Sequence, residues 1–224
     1  MICSSESCVT APQAYRIESG RAERRKQSYM QKATMYLSIK DGGKGIPYGG
    51  ADEDRPDGSR NHGFRPLKSN PEEIAAVPEA QGITALKNAL IALNAADSPF
   101  VTVGCEKAFG KNDSGYWGSG YLEFAFNYAE LIADAAFYLK LFFFFNQWYS
   151  KQKQLAGVQY NFELEGATFL KTNVSGFTIS VWISAGMYPT REGAQASWEE
   201  ALDVLIEFLS QQPRPPNGQY SRIY

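Results

Sequence analysis

Histidine occurs once in this chain, at His62, and cysteine three times, at Cys3, Cys8 and Cys105. Cys3 and Cys8 are separated by four residues where a zinc knuckle has two, so no metal site is expected, and an odd, sparse set does not make a disulfide framework. Cys105 reads as a small buried hydrophobe. No Gly-Lys-Ser/Thr follows Gly42, Gly43 or Gly45, and neither a dinucleotide fingerprint, an HExxH pair nor a nucleophile elbow occurs, so no cofactor is expected. The first residues, MICSSESCVTAPQAY, have no basic stretch leading into an apolar one, and a cytoplasmic location is the default expectation.

A long apolar run free of charge is missing as well. The nearest approach is Leu131 to Tyr149, LIADAAFYLKLFFFFNQWY. Lys140 at its midpoint would cost about 3 kcal/mol inside a bilayer, against roughly 0.5 kcal/mol gained by each Leu, Ile or Phe, and Asp134, Asn146 and Gln147 remove the margin. The block is therefore expected to be an amphipathic helix of a water-soluble protein, with Leu139, Phe142 and Tyr149 opposite a stripe of Lys140, Gln147 and Lys151. Phe137 and Phe144 fall near that charged stripe, where they would form a homo-oligomer interface if exposed.

A concentrated basic face is also absent from most of the chain. Residues 1–70 hold 12 Lys and Arg against 8 Asp and Glu, whereas the remainder hold 10 against 16. That split predicts a basic arm on an acidic body, and nucleic acid is not an expected partner.

What is present in excess is aromatic, 14% of the residues. Much of it lies in strand-like alternation. Strands are expected at 34–39, 100–106, 121–128, 158–170 and 177–185, with a Gly-rich turn region at 110–120. Helices are expected after Asn70-Pro71, at 82–96, at 131–149 and at 197–211, the last with Ser197 and Glu200 as a capping box. The expected fold is α+β: an antiparallel sheet of four or five strands with about three helices on one face, built from two strand-strand-helix units in tandem. Residues 1–70 read as the arm, a short strand and a long Gly/Asp-rich loop, 71–212 as a single domain, and 213–224 as a frayed Pro-rich tail.

Alternation places Val101, Val103, Cys105, Leu122, Phe124, Phe162, Ile179 and Val181 toward the helices. It leaves Thr102, Tyr121, Glu123, Asn127, Asn161, Glu163, Glu165, Ser180 and Trp182 on the other face. Large aromatics among hydrogen-bonding groups suit docking of a protein partner or a small polar ligand. Trp182, Tyr121, Glu123, Asn127, Asn161 and Ser180 are the candidate binding residues. The expected function is a non-enzymatic binding or assembly protein. The alternative is a small hydrolase using His62 with Asp52, Asp54 and Asp57, or the carboxylates Glu163 and Glu165. Two apart on a strand, these would be about 6.7 Å apart, within glycosidase range.

Overall fold

The fold was analysed in a computed structural model that describes residues 33–50, 60–152, 155–216 and 218–224. The basic cluster at 21–26 and the aspartates of 51–59 lie outside the described residues. Five strands, β1 (Thr34–Ile46), β2 (Phe100–Asn112), β3 (Gly115–Phe126), β4 (Val158–Phe169) and β5 (Val174–Tyr188), form one sheet in the order β1-β4-β5-β3-β2. Four helices accompany it among the described residues: α1 (Thr84–Asn94), α2 (Ala129–Ile132), α3 (Ala135–Tyr149) and α4 (Arg191–Ser210), preceded by 3-10 turns at Pro71–Ala76 and Pro78–Ala80.

The class is α+β, but the sheet is mixed. β1 runs parallel to β4, while every other pairing is antiparallel. A short alternating segment shows that a strand exists but carries no mark of its direction. β1 is also longer than expected, because the glycines after Ile39 extend it past a bulge between Lys40 and Gly43, where Gly42 has φ +98°. Such a φ suits glycine. The expected turn region at 110–120 is instead a tight hairpin, with both strands continuing to Asn112 and from Gly115.

A second bulge, between Thr102 and Gly104, reverses the expected facing of the first residues of β2. Thr102 lies opposite Phe124 on the helix-covered face, where Asn94 of α1 donates to its hydroxyl at 2.7 Å. Val101, opposite Ala125, takes the other face, and beyond the bulge Cys105 returns to the helix side opposite Leu122. One extra residue flips every side chain on one side of it.

The Leu131–Tyr149 block is broken at Ala133–Asp134. Asp134 caps α3, its carboxylate accepting from the Ala136 N–H at 2.9 Å. Phe145 anchors that helix, with ring centroids 5.1 Å from Tyr160, 5.4 Å from Phe162 and 5.2 Å from Phe208 of α4. Helix α4 starts earlier than expected, because Thr190 rather than Ser197 is its cap, accepting from the Gly193 N–H at 3.1 Å. Ser197 sits within the helix, bonded to the Tyr188 hydroxyl at 2.6 Å. Asn70, just before Pro71, makes no side-chain capping bond. None of the helices among the described residues is long and apolar enough to cross a membrane.

Candidate functional site

Sheet register aligns the polar face in rows. Tyr36, Asn161, Trp182, Tyr121 and Glu106 form one row from β1 to β2. Ser38, Glu163, Ser180, Glu123 and Gly104 form the next, and Lys40, Glu165 and Thr178 a third. The pairing of Trp182 with Tyr121 is direct, their ring centroids 4.6 Å apart. Asn161 stands beside Trp182 in its row and accepts from the Ser38 hydroxyl at 3.2 Å.

The carboxylates are held by lysines from β1. Lys44 lies 2.5 Å from Glu123 Oε1 and 3.1 Å from Glu165 Oε2, and Lys40 lies 3.2 Å from Glu165 Oε1. Burying Glu123, which is only 3% exposed, demands such a cation. Burial alone would raise the Glu165 carboxyl pKa, but the hydrogen bonds and charges of Lys44 and Lys40 outweigh it and hold the group below its ordinary value. Ser180 and Thr178, on β5 between the two carboxylates, are buried. Ser180 is thus part of the floor rather than an accessible contact.

Glu123 ends in a cradle at Gly104. A methyl group at Gly104 would sit 2.9 Å from the Tyr48 hydroxyl, 3.5 Å from Glu123 Oε2 and 3.5 Å from the Tyr121 hydroxyl, so three polar atoms converge over one bare backbone position. The Tyr48 hydroxyl donates to the Val103 carbonyl at 3.0 Å. Among the described residues no hydrogen-bond partner is found for the Tyr121 hydroxyl. Burial, followed by the negative charge of Glu123, raises the Tyr48 phenol far above its ordinary value; burial, Tyr48 and then Glu123 do the same to Tyr121. Both therefore stay protonated and able to donate.

The cradle opens into a cavity of about 390 Å³ beyond β2, walled by Tyr48, Tyr121, Glu106 and Lys107, by residues 60–63, 65 and 67, and by Glu79. That volume suits a small ligand. His62 stands on this wall and is exposed; among the described residues no hydrogen bond joins it to a serine, threonine or cysteine. Cys105 also lines the cavity, its thiol pushed up to about 12 by burial and then by Glu79. Such a thiol reacts slowly as a nucleophile. No group of three or more His, Cys, Asp and Glu side chains among the described residues could hold a metal ion.

No family model, curated protein or solved structure matches the chain.

Of the residues expected to bind, the structure brings Trp182, Tyr121 and Glu123 together, with Asn161 next along the row. Asn127 lies elsewhere, beyond the end of β3, where its side chain is bonded to the backbone of Tyr224. Glu163 shares the Glu123 row but is two strands away from it. Phe137 and Phe144 line a separate apolar groove of about 370 Å³ between α3 and residues 212–216, with Phe144 54% exposed. Sequence reasoning missed Lys44, Tyr48 and Gly104, all in or beside stretches read as loop or as a plain strand. The available signal was the pair Glu123 and Glu165 on one sheet face, two carboxylates that a cation could hold.

Proposed function

We propose that this is a non-enzymatic binding protein for a small, neutral, hydroxyl-rich ligand such as a saccharide. One ligand hydroxyl would sit over Gly104, donating to Glu123 Oε2 and accepting from Tyr121, while an apolar ring face packs beside the Tyr121–Trp182 pair. The observation that carries this reading is the convergence of Tyr48, Tyr121 and Glu123 on Gly104, where Tyr48, Tyr121 and Gly104 line the cavity. A hydroxyl both donates and accepts, which matches a carboxylate oxygen beside a protonated phenol. A ligand carboxylate would instead meet Glu123.

The hydrolase reading has less support. Glu165 is neutralised by two lysines, whereas glycosidic chemistry needs one carboxyl group kept protonated.

A panel of mono- and disaccharides tested by calorimetry and thermal shift decides the matter. At least one member should bind the native protein, and Gly104→Ala and Trp182→Ala should each weaken that binding about tenfold or more while leaving the fold cooperative. A panel without any binder, or a Gly104→Ala variant that binds as the native protein does, overturns the reading. Release of product during the same incubations would favour the hydrolase.

A further inference from the structure

Residues 220–224 are held as a bound peptide would be. The Asn127 side chain accepts from the Tyr224 N–H at 2.9 Å and donates to the Tyr224 carbonyl at 3.1 Å. The Ile223 N–H donates to the Asn127 carbonyl at 3.4 Å, and Tyr128 and Arg222 form an antiparallel bridge. The Ala129 N–H donates to the Ser221 carbonyl at 2.8 Å, and the Glu130 carboxylate accepts from the Ser221 N–H. Ile223 is buried in the core, and the Tyr224 ring lies between Phe64, at 5.7 Å, and the Lys171 ammonium, at 5.8 Å. The arrangement resembles strand addition, in which main-chain bonds supply the affinity.

The segment also supports the cavity. Phe64, against which Tyr224 packs, donates its N–H to the Tyr48 carbonyl at 3.0 Å, and its ring is 6.3 Å from that of Tyr48. Its chain neighbours at 60–63, 65 and 67 are the cavity wall. The wall is folded tightly on itself, since a methyl group at Gly63 would lie 2.7 Å from the Gly50 nitrogen. Phe64 thus links Tyr224 both to the wall and to the Tyr48 side of the cradle.

We infer that Asn127–Glu130 and Phe64 form a docking groove for an extended peptide of the pattern Tyr-Ser-Arg-Ile-Tyr, filled here by residues 220–224, and that filling it holds the wall of the Gly104 cavity in place. The consequence for ligand affinity rests on the function proposed above; the bracing of the wall does not.

Cys105, which lines the cavity, reports the state of that wall without any ligand. In a chain carrying Cys3→Ser and Cys8→Ser it is the sole thiol, and its alkylation by N-ethylmaleimide at fixed pH measures how often the wall gives way. Tyr224→Ala in the full chain should speed alkylation about fivefold or more. Asn127→Asp, which keeps the acceptor and loses the donor, should speed it less. In a chain shortened to end at Gln219, the peptide Gln-Tyr-Ser-Arg-Ile-Tyr added in trans should slow alkylation again, and the same peptide ending in Ala should not. Rates within about twofold of the native value in both folded point variants overturn the inference, whatever the saccharide panel shows.

Discussion

Lys44 of β1 pairs with Glu123 of β3 at 2.5 Å, although β4 and β5 lie between their strands in the sheet. The same ammonium touches Glu165 at 3.1 Å, so one lysine closes the polar face over β5. Lys44→Met would leave a buried carboxylate with no cation, a change that costs about 3 kcal/mol. Urea titration should show that loss. Adding Glu123→Gln should recover part of it, because the uncompensated charge is then gone. Additive effects of the two substitutions would show that they do not act on one another.

Acid stability follows from the same bridge. The Glu165 pKa is held below its ordinary 4.5 in the folded chain, so the folded state binds fewer protons there than the unfolded one. Its contribution is complete above 4.5 and fades as the pH falls through the folded value. The urea midpoint should therefore drop on the acid side of 4.5, and Glu165→Gln should flatten that limb while leaving the shape near neutrality unchanged. A native limb already as flat as that of the variant would contradict the assignment.

The helix-facing half of the sheet was legible in the sequence. Phe124, Phe162, Ile179 and Val181 obey simple alternation, and α4 shows its apolar stripe through Trp198, Leu202, Leu205 and Leu209. Two classes of feature were not legible. Bulges at Thr102/Gly104 and Lys40/Gly43 shift facing by one residue without changing composition, and strand direction depends on long-range pairing that no local pattern encodes. The cradle needed both, since Gly104 gains its place only after the bulge and Lys44 reaches Glu123 only from β1. Trp182 and Tyr121 could be placed on one face because they lie on regular parts of their strands.

Lys68 joins the residues before the 3-10 turns to the turn between α1 and β2. Its ammonium donates to the carbonyls of Ala95, Ser98 and Phe100 at 2.9, 2.9 and 2.8 Å. Burial, then the charge of Arg222, lowers its pKa from 10.5 to about 8. Removing that charge in Arg222→Gln should move the pKa back upward, visible as a shifted titration of the Lys68 ε-carbon resonance. An unchanged or lower midpoint would show that Arg222 does not reach Lys68 in solution.

The run Phe142 to Phe145 divides sharply by position on α3. Phe145 is 0% exposed and packs on Tyr160, Phe162 and Phe208, whereas Phe143 is 60% exposed. Phe145→Ala removes a ring from a close-packed cluster and should cost about 3–5 kcal/mol. Phe143→Ala leaves that cluster intact and should change stability by about 0.5 kcal/mol or less. Chemical denaturation of both variants at several protein concentrations separates packing within the chain from packing between chains. A Phe143→Ala loss that grows with protein concentration would mean that the exposed ring is covered by a second copy in solution. A loss that is small at every concentration would leave α3 anchored through Phe145 and its neighbours alone.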